Sequence, residues 1–378
     1  MRITTTVSLS LVLALVASAT GLTQRSTSRP SGTPVEATSR VVAAAQAVLA
    51  SLDDAGRARV QFPFDSPQKT RWSNLPTGIF ERQGVRMGDL TAPQRAAVMT
   101  LLAAALSQDG YRKVTEIIRG EEVLRTNQAG RGPRGGQPGG APPPTAAPPG
   151  GGPPGGGQGR GGRGGGGGVV FGEDEYYLAF LGTPSTTSPW MLQFGGHHLA
   201  INLTLVGSQA SMTPSLPAAQ PAIYTFEGRE IRPLGRENDK AFELINALDA
   251  TERSQAILGS RVADLVLGPG QDGRVIQPEG IHASVLSPAN QNLLLEIARE
   301  WAGIMQDSFA ELRMAELKAN LPQTYFAWSG PTTNGSAAYF RIQGPTVVIE
   351  YAPQGGIDHI HTIYRDPTND YGAKIAAK

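Results

Sequence analysis

The chain of 378 residues carries 33 basic and 32 acidic side chains and no cysteine. A net charge of +1 excludes a strong overall field that would attract nucleic acid or an anionic membrane. The absence of cysteine excludes disulfides, thiolate zinc sites and a cysteine nucleophile, and it fits a protein that leaves the reducing cytosol.

The N-terminus has the pattern of a secretory signal peptide. Arg2 precedes an apolar run over residues 7–17, and the small residues Ala-Ser-Ala occupy positions 17–19. The run is too short to span a bilayer, and Ala-x-Ala favours cleavage after residue 19. We expect a signal peptide at 1–19, a flexible segment at 20–34 and an exported product, periplasmic or secreted, without a stable membrane anchor. An uncleaved anchor is the alternative.

Two helices are predicted in the region that follows. Residues 35–55 are rich in alanine and place larger apolar side chains on one side at helical spacing. Thr91 and Gln94 form a capping box ahead of a second apolar stripe, which begins at Val98.

An unusual segment interrupts the chain at residues 129–168. It consists almost wholly of Gly, Pro, Ala, Gln and Arg, so it has too little apolar surface to offset its ordering entropy. Its Arg-Gly-Gly triplets resemble nucleic-acid binding segments, but it has no aromatic residue to stack on bases, and we expect no nucleic-acid partner. We predict a disordered insertion in a single domain over residues 35–378. Two domains, one on each side, are the alternative.

Strand and helix patterns alternate in the second half. Residues 198–206 alternate between apolar and more polar side chains, as a strand does, and shorter strand candidates lie at 176–181, 222–226 and 325–328. Asp249 and Glu252 form a capping box for a short helix. Ser287 followed by Pro288 predicts the start of the longest helix, which ends at residues 320–322.

The C-terminal part predicts an antiparallel meander. Residues 338–343 and 346–351 form a tight hairpin around Gly344 and Pro345, and a third strand follows at 357–364. The fold class is therefore α+β, with an antiparallel sheet in the C-terminal half packed against helices and the Gly/Pro-rich loop inserted.

Four of the five histidines fall in two motifs, Gly-Gly-His-His ending at His198 and His-Ile-His at 359–361. Imidazole is the commonest metal ligand, and residues two apart on a strand share a face, so His359 and His361 indicate a metal site. His197 and His198 point opposite ways on a regular strand. At most one of them should join the pair unless the Gly-Gly turn bends the backbone, and strand parity favours His198.

Glu350 is the carboxylate expected beside the histidine pair, because its strand precedes theirs and adjacent strands share faces. Two or three histidines and a carboxylate suit a divalent ion such as Zn, Mn, Fe or Cu, with an open position for water or substrate. A metal-free polar pocket and a purely structural role are the alternatives. The fifth histidine, His282, lies among loop residues and is the weakest candidate.

The segment after the histidine pair is dense in functional groups. Arg365 could hold a carboxylate or phosphate through two hydrogen bonds. Asp366 or Asp370 could orient a ligand or act as a general base. The run Asp-Pro-Thr-Asn-Asp is also typical of an ordinary surface turn.

Three stretches resemble one family. They are Tyr-Leu-Ala-Phe-Leu-Gly-Thr-Pro at 177–184, Trp190 with Phe-Gly-Gly-His-His at 194–198, and Asp-His-Ile-His-Thr-Ile-Tyr-Arg-Asp-Pro-Thr-Asn-Asp-Tyr-Gly at 358–372. They are similar to the exported bacterial proteins grouped as domain of unknown function 3500. The resemblance runs from about Val41 to Gly372, with the insertion as a departure. It implies one fold over that span and brings no established activity.

Two functions fit these patterns. The first is an exported metal-dependent enzyme, hydrolytic in preference to oxidative, with histidine ligands, a carboxylate base and Arg365 holding an anionic group. The second is a periplasmic ligand-binding or scaffold protein in which the same residues line a polar pocket. Neither pattern identifies the small-molecule substrate or ligand, because no motif of a named reaction accompanies the histidines.

Overall fold

A computed structural model of the chain describes residues 32–129 and 168–377. The predicted signal peptide and almost all of the Gly/Pro-rich insertion lie outside these residues. The described residues belong to one compact unit, Gly32–Lys378. Helices and mostly antiparallel sheets occur together in it, which confirms the α+β class.

The described part contains nine helices, and the capping boxes predicted at Thr91 and Asp249 open two of them. The helices are α1 (Pro34–Ser51), α2 (Asp54–Val60), α3 (Ala92–Ala105), α4 (Gln108–Ala129), α5 (Gly235–Ala247), α6 (Ala250–Ala256), α7 (Pro288–Ala302), α8 (Asp307–Ala319) and α9 (Ala373–Ala376).

The strands fall into two larger sheets and one short hairpin. They are β1 (Gln61–Phe62), β2 (Val85–Arg86), β3 (Tyr177–Leu181), β4 (Trp190–Gly195), β5 (Leu199–Val206), β6 (Gln209–Ser211), β7 (Leu216–Pro217), β8 (Tyr224–Phe226), β9 (Arg229–Ile231), β10 (Ile281–His282), β11 (Tyr325–Ser329), β12 (Tyr339–Gly344), β13 (Val347–Pro353) and β14 (Ile360–Arg365).

The first helix ends before its predicted boundary. Helix α1 stops at Ser51, and the Asp53 side chain caps α2 by accepting a hydrogen bond from the Gly56 amide at 2.7 Å. The prediction of one helix over residues 35–55 is therefore wrong at its C-terminal end, because a second capped helix begins inside that range.

The stretch after Ser287 forms two helices where one was predicted. Ser287 caps α7 as expected, but α7 ends at Ala302 with Gly303 as its C-cap, and Gln306 caps α8. The connection pairs with the end of α3, since Met305 bridges to Leu106. This tertiary pairing overrides the continuous helical pattern. The longest helix among the described residues is α4, which the sequence patterns did not reveal.

The first sheet has the strand order β1-β3-β4-β5-β6, with β2 on β3 and β7 on β5. The predicted alternation of β5 is confirmed: Leu199, Ile201 and Leu203 pack in a core with the apolar sides of α1 and α3. Asn202 and Thr204 lie on the opposite face and are also buried.

The second sheet is the predicted meander, with the order β10-β11-β12-β13-β14. Its hairpin between β12 and β13 is confirmed, whereas β14 begins at Ile360, three residues later than expected. One face, including Phe340 and Ile349, packs in a second core with α5 and α7. His361 and Glu350 lie on the other face.

A short segment at residues 215–219 joins the two sheets. On one side Pro217 pairs with Leu199 of β5, and on the other side Ala219 pairs with Ile360 of β14. The Ala218 amide also donates to the His198 carbonyl at 2.9 Å. The start of β5 and the start of β14 therefore lie on opposite sides of this segment, each one strand spacing away from it. This arrangement brings the two histidine motifs together.

Candidate metal centre

The first histidine motif forms the turn between β4 and β5. The Gly196 amide donates to the Leu199 carbonyl at 2.9 Å and closes the turn around His197 and His198. A Cβ atom on Gly195 would lie 2.5 Å from the Leu199 carbonyl oxygen, so this close approach requires glycine. The turn, not a regular strand, sets the direction of both histidines, and their ring centroids lie 3.7 Å apart.

The second motif lies at the start of β14. His359 immediately precedes the strand, and its carbonyl accepts a hydrogen bond from the Gln354 amide at 2.7 Å. His361 lies inside the strand, opposite Ala352 of β13. The two rings are perpendicular, with centroids 4.5 Å apart, so they face one small volume.

One nitrogen from each of His198, His359 and His361 meets in this volume. The three atoms all lie within 4.8 Å of one another, and His198 Nε2 is 3.1 Å from His359 Nε2. His198 is fully buried, His361 is 9 % exposed and His359 is half-buried, so access is from the His359 side. We call these residues the histidine trio.

Two carboxylates contact the trio from behind. His198 Nδ1 contacts Glu121 on α4, which also lies 3.2 Å from His197 Nδ1. His361 Nδ1 lies 3.3 Å from Asp264 Oδ1. A carboxylate on the second nitrogen of a metal-binding histidine fixes its tautomer and raises its basicity as a ligand.

Burial keeps His198 and His359 ready to bind a cation. Desolvation lowers the pKa of His198 to about 4 and that of His359 to about 3, and neighbouring imidazoles add to the shift at His359. Both rings are therefore neutral at pH 7, with lone pairs available to a metal.

Two further side chains support the site. The Asn74 amide nitrogen lies 3.3 Å from His361 Nε2. Arg82 donates to the Gly196 carbonyl at 2.6 Å and to the Ser73 and Leu75 carbonyls at 2.8 and 2.7 Å. Arg82 thereby ties the histidine turn to the loop that carries Asn74.

Glu350 lies on the predicted face but at a different register. It is opposite Ile363, two positions from His361 along β14. Its carboxylate accepts from the Val266 and Leu267 amides at 2.6 and 2.9 Å and from the Tyr339 hydroxyl at 3.2 Å. The carboxylates that contact the histidines are thus Glu121 and Asp264, whereas Glu350 holds the loop at Val266 and Leu267.

Arg365, Asp366 and Asp370 are also engaged elsewhere. The Arg365 guanidinium pairs with Asp370 at 2.8 Å and donates to the Leu267 carbonyl at 2.7 Å. Asp366 pairs with Arg313 at 3.1 Å. Arg365 and Asp366 are buried and Asp370 is half-buried, all in turn and loop contacts, and the structure does not bring them into the histidine groups.

His282 lies apart from the trio. Its Nδ1 contacts the Ser284 hydroxyl, and its ring packs on Tyr325 with centroids 4.7 Å apart.

Sequence reasoning missed Glu121 and Asp264. Asp264 lies in an irregular loop and gave no signal. Glu121 did give a signal, because it continues the helical spacing of the buried residues Val114, Ile117 and Leu124 on α4. A carboxylate in an apolar stripe indicates a buried partner.

Replacing Gly196 with alanine is expected to displace the histidine turn. The new Cβ would lie 2.9 Å from atoms of the Tyr176 ring, which is buried and stacked on Phe194. We expect a loss of about 1–3 kcal/mol in the free energy of unfolding and weaker metal binding. Urea denaturation and metal titration measure both. Gly259→Ala is the matched control, because its Cβ meets no atom within 4 Å; equal effects in both variants would contradict the steric explanation.

The metal-free protein is expected to lose stability as the pH falls below 6.5. The unfolded chain protonates His198 and His359 near that ordinary value, whereas the folded chain resists protonation down to about 4 and 3. Above pH 6.5 both rings are neutral in the folded and the unfolded chain, so they leave the free energy of unfolding unchanged. As the pH falls below 6.5, the unfolded chain gains protons that the folded chain does not, and the free energy of unfolding decreases. After discounting the half-exposed His359, we expect a drop of about 2 kcal/mol between pH 6.5 and 5.

Urea denaturation with a chelator present, at several pH values, measures this slope. The double variant His198→Gln/His359→Gln should flatten it, and an unchanged slope would show that other groups cause the loss.

No helix in residues 32–129 or 168–377 combines the length and apolar character needed to cross a membrane. No curated protein and no solved structure matches the chain. The model of one family, described as Protein of unknown function (DUF3500), matches residues 35–373 and confirms the resemblance carried by the motif stretches. The chain therefore belongs to the DUF3500 family.

Proposed function

We propose that this protein is an exported metal-dependent hydrolase whose ion is held by His198, His359 and His361. The observation that carries the proposal is the convergence of three imidazole nitrogens within 4.8 Å of one another, two of the rings also contacting a carboxylate. Three protein ligands leave an open position, which is the arrangement of catalytic rather than structural sites.

The donor set favours zinc among the candidate ions. Neutral imidazoles suit zinc, copper, iron and nickel, and a three-histidine set without thiolate or bidentate carboxylate suits zinc well. The three histidines would hold such a zinc ion, whose chemistry would be to lower the pKa of a bound water to near neutrality for hydrolysis.

Asp264 is the base that we assign to this chemistry. Its side chain is 58 % exposed, and its Oδ1 lies 3.3 Å from His361 Nδ1. Although burial acts to raise the pKa of Asp264, the hydrogen bond from His361 lowers it, so the carboxylate is ionised at neutral pH. It can orient His361 and accept a proton from the exposed side of the site.

Metal content and turnover test the proposal in two steps. The mature chain is purified without chelator, loaded with zinc, desalted and analysed for bound metal, and it is then assayed against ester, phosphoester and amide panels. We expect bound zinc and hydrolysis that a chelator abolishes. Asp264→Asn, which should also weaken zinc binding, is assayed at saturating zinc and should lose most of the turnover there.

Two results would contradict the proposal. A chain without bound metal after careful loading would remove the metal centre. A chain with bound metal that hydrolyses none of the panels would favour the ligand-binding or scaffold function.

A further inference from the structure

His198 belongs to two groups of metal-binding atoms at once. Its Nε2 faces His359 at 3.1 Å, and its Nδ1 contacts Glu121. Glu121, His197 and His198 form a group of their own, in which the ligand atoms also lie within 4.8 Å of one another. The two nitrogens of one imidazole therefore face two different sets of ligands.

The second group contains a buried negative charge. Glu121 is 1 % exposed, and its hydrogen-bond partners among the described residues are His197 and His198. A carboxylate this deeply buried is costly unless hydrogen bonds and a cation compensate it, and a divalent ion held between Glu121, His197 and His198 would supply that charge.

A neighbouring polar group is also left without a partner. The ring of Tyr176 packs on Gly196, and its buried hydroxyl has no hydrogen-bond partner among the described residues. Burial raises the pKa of this hydroxyl well above its ordinary value, and the negative charge of Glu121 raises it further. The surroundings of Glu121 are therefore incompletely satisfied, as expected of a site that holds an ion.

We propose that Glu121, His197 and His198 form a second divalent-cation site, joined to the first by the His198 imidazole. This inference rests on the proposed first site. Two imidazole nitrogens and a carboxylate oxygen suit zinc or copper better than magnesium or calcium, which prefer oxygen ligands. Since Glu121 and His197 are buried, the second ion has a structural and electrostatic role.

Binding of the second ion displaces the protons that the two imidazoles share with Glu121. In the metal-free protein His197 and His198 each donate a hydrogen bond from Nδ1–H to the Glu121 carboxylate. When the second ion binds, the His197 proton moves to Nε2 and that ring stays neutral. His198 gives its Nδ1 proton to the solvent and becomes an imidazolate, so one proton is released for this ion.

Metal stoichiometry in matched variants tests the bridge. The metal-free chain is titrated with zinc, desalted and analysed. We expect two ions per wild-type chain and none in His198→Ala. One ion should remain in His197→Ala, and one in the double variant His359→Ala/His361→Ala. His282→Ala, which changes a histidine outside both groups, should retain two.

The results separate the two proposals. A wild-type chain with one ion that His197→Ala retains would overturn the second site and leave the first intact. No ion in the wild type would overturn both. Two ions in His197→Ala would place the second ion elsewhere and overturn the bridge.

A spectroscopic readout does not depend on activity. Two Cu²⁺ ions joined by an imidazolate are magnetically coupled, so the electron paramagnetic resonance signal per copper should be weaker in the wild type than in His197→Ala. Equal signal per copper in the two proteins, with two ions bound to the wild type, would show that His198 does not bridge them.

Discussion

Replacing His198 with alanine is expected to remove bound divalent metal from the protein altogether. His198 supplies one of the three nitrogens of the trio, and its other nitrogen contacts Glu121 in the second group. Losing an outer-shell partner of a metal ligand typically weakens binding by roughly 10–100-fold, and the loss of a ligand itself should exceed that. His197→Ala leaves the trio intact and should weaken binding at the trio far less.

Competition with a chromophoric zinc chelator measures this difference. Because His198 is fully buried, alanine also leaves a cavity, and His198→Gln provides a second variant that fills most of the space. Circular dichroism and urea denaturation identify any loss of folding. A folded His198 variant that binds zinc as tightly as the wild type would contradict the site.

The shared face of His359 and His361 was predictable because the alternation of side chains along a strand is a local property. The sequence places His359 and His361 on one side, and the fold keeps them together. Glu350 was assigned to the correct face for the same reason, since alternation follows from the backbone alone. Its register was not predictable: hydrogen bonding sets Ala352, and not Glu350, opposite His361.

The meeting of the two motifs depends on contacts that no local pattern contains. Pairing of residues 215–219 with both β5 and β14 sets the distance between His198 and His361. Glu121 reaches His198 across 77 residues of sequence. Likewise, the break at Gly303 arises from pairing of Met305 with Leu106, so a helix prediction based on periodicity continued through it.

Glu350 and Arg365 both hold the loop at residues 266–268, so their substitution should affect stability and not substrate binding. Glu350 accepts from the Val266 and Leu267 amides, while Arg365 donates to the Leu267 carbonyl and, at 3.0 Å, to the Gly268 carbonyl. The same loop begins near Asp264, which contacts His361. These residues therefore position the loop beside the histidine trio.

Arg365→Met is accordingly expected to lower the free energy of unfolding by about 2–4 kcal/mol, because it leaves two backbone carbonyls and two partly exposed carboxylates without their partner. Its guanidinium is 3 % exposed and pairs with Asp272 at 2.9 Å as well as with Asp370. Urea denaturation of the metal-free chain measures the loss. The folded fraction should still bind zinc in the wild-type stoichiometry, since Arg365 contacts none of the three histidines.

Arg274→Met offers the matched control, because that arginine holds the same loop from an exposed position through the Val266 carbonyl at 3.1 Å and should cost far less. A residue that held an anionic substrate would behave differently. Arg365→Met would then keep wild-type stability and raise KM for anionic substrates alone. That outcome would support the role in binding an anion that the sequence predicts for Arg365. A loss of stability in Arg365→Met but not in Arg274→Met would instead show that Arg365 holds the loop.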